Sequence, residues 1–240
     1  MRKTNLKPIL FAGCWHFGHE DADLKLAKEY IRFAKEERAG IFLLGDNHEM
    51  ALPHKKDMMF TQNMNPQKQF EYSLELFKPV AHLIEGACTG NHTGRAMKVA
   101  GIDCDKVLAE RLGYLDKYYP HQGFIGLKVG NHEYKIAFKH GTGVGSNTFG
   151  NCRALLRNYP AADICATSHT HQLATLKESY WDVKKGKRTQ HPVTFIITGS
   201  LLDYPTYADE AGYSPQPKGF AIAWLDPKER QVIADVSGIL

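Results

Sequence analysis

Short apolar runs recur along the chain, and most of them end in a polar cluster. Residues 8–13 read as a buried strand. From 21 to 39 the period changes: Leu24, Ala27, Ile31 and Ala34 share one helical face, with Gly40 as the stop. Residues 41–44 form a second apolar strand ending at Gly45-Asp46. The Met- and His-rich segment 50–65 has no clear period and reads as a loop insertion, after which Pro66 opens a helix to about residue 78. A third strand, 83–88, ends at Gly90-Asn91-His92, and a helix follows to about residue 112. Strand–helix–strand–helix–strand is the signature of a parallel sheet with helical crossovers. Ligands of such sheets lie outside the carboxyl ends of the strands.

The second half changes character. Residues 124–129 and 134–138 predict a hairpin, and 162–166, 173–183, 189–198, 220–225 and 231–236 predict further strands. Lys184-Lys185-Gly186-Lys187-Arg188 reads as the turn between two long strands. With no repeat and no linker, the pattern predicts a single domain over 1–240, of layered α/β type, with two packed mixed sheets flanked by helices.

Composition changes this picture little. At 43% hydrophobic and 23% charged the chain is an ordinary globular one, and 240 residues can bury a core without staples. The net charge of +4 is too small to imply nucleic acid without a localised patch. The five cysteines are odd in number and show no CxxC spacing, so no disulfide framework is expected and a cytoplasmic location is the default. Cys88 and Cys165 lie in apolar runs and read as small core hydrophobes. No apolar stretch approaches a membrane span. Arg2, Lys3 and the run from Ile9 to Cys14 loosely imitate a lipoprotein signal, but Pro8 and the short run fit a first core strand better.

The twelve histidines do change it, because several follow the apolar runs. In order the clusters are Cys14-Trp15-His16, Gly45-Asp46-Asn47, Gly90-Asn91-His92, Lys139-His140-Gly141 and Ser168-His169-Thr170-His171. Imidazole, carboxylate and carboxamide groups at strand ends can converge on metal. This series resembles the calcineurin-like metallophosphoesterases, particularly their small stand-alone bacterial and phage members. That family's pattern runs Asp-x-His, Gly-Asp, Gly-Asn-His-(Asp/Glu), His and Gly-His-x-His. The Thr198-Gly199-Ser200-Leu201 stretch and Tyr207-Ala208 also look like that group.

The resemblance implies a four-layer metallophosphoesterase-like sandwich and a dinuclear metal-dependent phosphoesterase acting on phosphate mono- or diesters. It implies that Cys14, His16, Asp46 and His171 hold one metal, and Asp46, Asn91, His140 and His169 the other. A hydroxide bridging the two would attack phosphorus. His92 would protonate the leaving oxygen, and Arg95 would bind phosphate. Two departures stand out. Cys14 replaces the family's first aspartate; as a ligand its softer thiolate favours zinc or iron over magnesium or manganese, and as a buried thiol it leaves the first metal site weak. Thr93 stands where a carboxylate usually orients the catalytic histidine, which implies either lower activity or a carboxylate substituted from elsewhere in the chain. The metals expected are two transition ions, zinc, iron or manganese.

Several blander readings compete. Gly130-Asn131-His132-Glu133 matches the third motif more literally, but it sits between alternating strands, where Gly-Asn makes a hairpin turn. His19, His48, Glu49 and His54 lie near the candidate ligands in sequence, where they are placed to line a substrate cleft, but most of them read as solvated loop positions. The basic tip near Tyr180 and Trp181 reads as a solvated turn, with nucleic acid the less favoured partner. The loop from Gly141 to Ser146 lacks a P-loop ending, and the spacing from Cys88 to Arg95 is one residue too long for a cysteine phosphatase. Two other functions remain: a metal-dependent DNA nuclease of the same fold, and a silent metal-binding scaffold.

Overall fold

Strands that are apolar on both faces need cover on both sides, and amphipathic helices supply it. The protein is described by a computed structural model, which describes residues 5–52, 61–143, 148–184, 186–204, 212 and 214–237. β1 (Lys7–Ala12), β2 (Gly40–Leu44), β3 (Ile84–Cys88) and the two-residue β4 (Tyr118–Tyr119) run parallel in one sheet. A second sheet begins with the hairpin β5 (Gln122–Val129) and β6 (His132–Lys139), and β7 (Ile164–Thr167) joins β6 in parallel. The long strands β8 (Ala174–Lys184) and β9 (Lys187–Ile197) complete it in the order β5-β6-β7-β9-β8. β10 (Ala221–Leu225) and β11 (Val232–Asp235) return to the first sheet, antiparallel, beyond β1.

Alternation along the central strands sets the layers. Leu10, Leu43 and Ile41 pack against Ala27 and Ile31 of α1 (Leu24–Glu36), Phe77 of α2 (Pro66–Phe77) and Leu108 of α4 (Cys104–Leu112). α3 (Thr93–Ala100) lies between α2 and α4 in the chain. Ile9, Phe11, Phe42 and Leu44 face the other way, onto Ile136, Phe138, Ile164 and Ala166 of the second sheet. The outer face of that sheet, through Ala137, Cys165 and Phe195, packs on Cys152 and Leu155 of α5 (Gly150–Asn158). Helices, sheet, sheet and helix make the four layers expected. Among the described residues no helix is long and apolar enough to cross a membrane.

The departures from the sequence pattern are local. α1 is shorter than 21–39: the Asp23 side chain caps it by accepting from Leu26 N at 2.9 Å, and it ends before Arg38, whose φ is 51°. Gly40 is thus the first residue of β2, not the helix stop. The helix after Asn91 is two helices, broken at Gly101 (φ 68°) and restarted by the Asp103 cap. α5 has no counterpart in the sequence pattern. His54, Tyr207, Ala208, Lys185 and the 144–146 part of the glycine loop lie outside the described residues.

Candidate metal centre

The polar clusters sit where the parallel strands end. Cys14 and His16 follow β1, Asp46 follows β2, Asn91 and His92 follow β3, His140 follows β6, and His169 and His171 follow β7. Backbone bonds tie these loops together: Cys14 N donates to Gly45 O at 2.9 Å, His16 N to Asp46 O at 3.0 Å and Ser168 N to His140 O at 2.8 Å. Cys14, His16, Asp46, His169 and His171 are five of the seven described non-glycine residues with positive φ. Each such residue costs about 1–3 kcal/mol, and that strain persists only where the surroundings over-determine it.

The donor atoms fall into two adjoining groups. His16 Nδ1 lies 2.9 Å from Glu49 Oε2, which places its proton there and leaves Nε2 bare, facing His171 Nε2 at 3.2 Å. His140 Nδ1 donates to the Leu44 carbonyl at 2.7 Å. Its Nε2 faces Asn91 Oδ1 at 2.9 Å, Asp46 Oδ2 at 3.0 Å and His169 Nδ1 at 3.2 Å. Cys14 Sγ comes within 4.8 Å of both groups, once with His16 and His171 and once with Asp46 and His140. Lone pairs therefore converge with few protons to separate them, an arrangement that a cation satisfies. Imidazoles that donate their other nitrogen to a carboxylate or carbonyl are oriented as metal ligands are.

Charge states follow from burial. Burial and the neighbouring His92 hold the His16 pKa down, burial and His16 do the same to His171, and burial with His140 lowers His169 to about 4. All three favour the neutral, ligand-competent imidazole. Burial opposes ionisation of Asp46, yet the charges of His140 and His92 outweigh it and keep that carboxylate well below its usual range. His140 loses to burial but gains more from Asp46, so its pKa is raised. Burial, then Asp46, push the Cys14 thiol up, so a thiolate here needs a cation beside it.

Glu49 is the group that sequence reasoning misplaced. It is fully buried, as are His48 and, nearly, His19, so the solvated-loop reading fails for all three. The 45–51 loop passes beneath α2, where Met50 N donates to Gln69 Oε1 and His48 Nε2 meets Ser73 Oγ at 2.8 Å. The Glu49 carboxylate is held by His16, by His92 Nδ1 at 3.1 Å and by Arg95 Nη1 at 3.4 Å. Burial would raise its pKa, but the hydrogen bonds from His16 and His92 outweigh that and hold it well below the usual carboxylate range. Arg95 also donates to the Glu49 carbonyl at 3.1 Å and sets Nη2 3.1 Å from His92 Nε2. The hint in the sequence is Thr93: a missing carboxylate beside His92 asks for another.

Two smaller features support the same loops. A Cβ at Gly90 would lie 2.0 Å from Asp46 Oδ1 and 2.3 Å from Asp46 N, so only glycine lets these strand ends meet. Gly90→Ala is expected to cost about 2 kcal/mol or more and to reduce metal uptake, as urea melts and metal analysis would read. Behind Asp46, buried Asp105 accepts from Asn47 Nδ2 at 2.9 Å and Thr89 Oγ1 at 2.7 Å. Burial raises its pKa from 3.8 to about 6. The folded state thus holds this proton more tightly than the unfolded chain. That contribution is complete below about pH 4 and is lost as pH rises through about 6, by about 3 kcal/mol in all. The stability of wild type relative to Asp105→Asn, measured by urea melts with metal chelated, should fall by that order between pH 4 and 8. A flat difference would reject the buried acid.

The second copy of the third motif lies elsewhere. Gly130 (φ 58°) and Asn131 form the β5–β6 turn, and His132 Nε2 donates to Lys228 O at 2.7 Å.

No protein-family model matches the chain, and no curated protein matches it either. Among solved structures it is similar to a conserved uncharacterized protein of Streptococcus pneumoniae, described as a predicted phosphoesterase. That match has 15% identity over 96% of this chain and 90% of the other, at a TM-score of 0.43. It is similar also to Vacuolar Protein Sorting 29 of Cryptosporidium parvum, at 14% identity over 97% of each chain and a TM-score of 0.45. The zinc complex of the protein of that name from Entamoeba histolytica matches at 16% identity, over 95% of this chain and 97% of the other, with a TM-score of 0.38.

Proposed function

We propose that the protein is a metal-dependent phosphoesterase that hydrolyses phosphate mono- or diesters at a dinuclear centre. The observation that carries this reading is the pair of adjoining lone-pair clusters, with Asp46 between them and His92 alongside. The motif order that resembles the calcineurin-like metallophosphoesterases supports the same reading. Cys14, His16, Asp46 and His171 would hold one ion, and Asp46, Asn91, His140 and His169 the other. When bound, two such ions neutralise phosphate charge and acidify a water molecule.

The chain's own groups do the rest. Asp46 can serve both ions because a carboxylate has two oxygens; its Oδ1 also accepts from His92 N at 2.7 Å, which fixes its plane. Glu49 holds His92 by Nδ1 and turns Nε2 toward Asp46 Oδ2, 4.0 Å away. In this arrangement Nε2 accepts from Arg95 Nη2 at 3.1 Å; with Arg95 turned to a phosphate oxygen, Nε2 would be free to take up a proton and give it to a leaving alkoxide. Arg95 lies against that same nitrogen and presents positive charge to a phosphate oxygen.

Metal analysis combined with hydrolysis of bis-p-nitrophenyl and p-nitrophenyl phosphates tests the proposal. About two equivalents of zinc or iron and measurable hydrolysis are expected. Metal below one equivalent, with no hydrolysis under any added divalent ion, would reject the enzyme. Cys14→Asp should shift the preference toward manganese or magnesium, because it exchanges a soft ligand for a hard one. Unchanged metal content and preference would remove Cys14 from the ligand set.

A further inference from the structure

The longest strands of the protein overrun their sheet. β9 pairs with β7 only from Thr194 to Ile197, whereas β8 and β9 stay paired from Ala174↔Ile197 out to Lys184↔Lys187. The outer half is therefore a two-stranded ribbon. β9 runs parallel to β7, so its start at Lys187 lies about 33 Å from the strand ends that carry the metal donors. Between the base of this ribbon, α5 and the loop after it lies an open cleft of about 660 Å³.

Its chemistry is one-sided. Lys135, Arg153, Arg157 and Arg230 line the cleft against one lining carboxylate, Asp182. Arg230 is held in a fork by Asp163, and Arg153 by Glu178. Among the described residues Lys135 and Arg157 have no ion-pair partner, and neither do Lys187 and Arg188 on the ribbon. Tyr180 and His191, on the face of the ribbon turned to α5, add aromatic walls, and Trp181 alternates to the opposite face together with Arg188. Trp181 is 62% exposed even with the Arg188 guanidinium stacked 3.4 Å from its ring centroid.

We propose that this cleft and ribbon bind single-stranded nucleic acid, separately from the metal centre. The phosphates of the nucleic acid would pass from Lys135, Arg157 and Lys187 on the cleft side over the free edge of β8 to Arg188 on the other face, with an unpaired base on Trp181. Exposed aromatic rings interleaved with unpaired cations are how proteins grip a strand without reading its sequence. A duplex hides its base faces and cannot use Trp181. An acidic peptide could meet the cations but has no base to stack on that ring. From His191 to Lys187 the ribbon carries the cationic surface a further 13 Å or about that beyond the cleft, longer than one nucleotide requires. The +4 excess of the whole chain thus includes a local patch, the condition that net charge alone could not settle.

Fluorescence anisotropy of a labelled single strand of about 16 nucleotides, titrated with the intact protein, tests this. Saturable binding is expected, and it should survive chelation of metal. With four phosphate contacts, log affinity should fall against log salt with a slope of about −3. The double variant Arg157→Glu, Lys187→Glu should weaken binding by more than about tenfold and flatten that slope by about 1.4, with bis-p-nitrophenyl phosphate hydrolysis unchanged. Trp181→Ala should weaken binding by about tenfold and leave the slope unaltered. All three residues lie outside the hydrophobic cores, and matching circular-dichroism melts would confirm intact folds. The proposal is overturned by no binding at low salt or by equal affinity for the matching duplex. Equal displacement by polyglutamate or by a mononucleotide overturns it too, as does binding that chelation abolishes or the variants leave intact.

Discussion

Replacing His92 by alanine is expected to lower turnover of bis-p-nitrophenyl phosphate by about 10²- to 10⁴-fold while metal content stays at the wild-type level. The size follows from losing a positioned proton donor, and the unchanged metal from geometry. His92 Nδ1 is engaged by the carboxylate and carbonyl of Glu49, both at 3.1 Å. Its Nε2 stands 4.0 Å from Asp46 Oδ2, beyond hydrogen-bond reach, and 3.1 Å from Arg95. Assays at saturating metal, with metal content read on the same preparation, separate two roles. Loss of an equivalent of metal would make His92 a ligand, since its ring nitrogen also lies within 4.8 Å of donors on His16 and Asp46. A drop of less than about tenfold would mean that another group protonates the leaving oxygen.

Glu49→Gln is the second large effect. The carboxylate holds His16 Nδ1 at 2.9 Å and so keeps the Nε2 lone pair free for a cation. Losing such an outer support typically costs 10- to 100-fold in metal affinity, and about that is expected here. The same substitution releases His92 and Arg95, so kcat at saturating metal should also fall, by about 10²-fold, with KM changing less. Competition with a chromophoric chelator reads the first effect and steady-state kinetics the second. If saturating metal restores kcat fully, Glu49 acts through His16 alone. If neither quantity moves, it orients nothing.

The strand runs and the motif blocks were legible because each is a local property. A run such as 41–44, four residues between Gly40 and Gly45, is too short for a helix and reads as a buried strand, and the polar cluster after it is fixed to the strand end by chain connectivity. The two copies of Gly-Asn-His were separable for the same reason: one follows a buried strand and opens a helix, the other joins two alternating strands. α5 escaped notice because Cys152, Leu155 and Leu156 bury against the outer face of the second sheet, and three positions are too few to define a period.

Glu49 shows where such reading stops. A glutamate in a polar loop normally belongs in water, because an unpaired buried carboxylate is costly. It is buried here because His16, from the loop after β1, and His92 with Arg95, from the segment after β3, satisfy it at once. Asp105 and the place of Cys14 between two donor groups depend on the same kind of distant partner. The basic tip near Trp181 acquires a cleft only when α5 and the ribbon are set side by side. The sequence by itself determined every strand but the two-residue β4, the order of their polar ends and the chemistry offered there, since these follow from neighbouring residues. The tertiary structure alone decided which charges are buried and what they face, because burial and pairing are set by segments far apart in the chain.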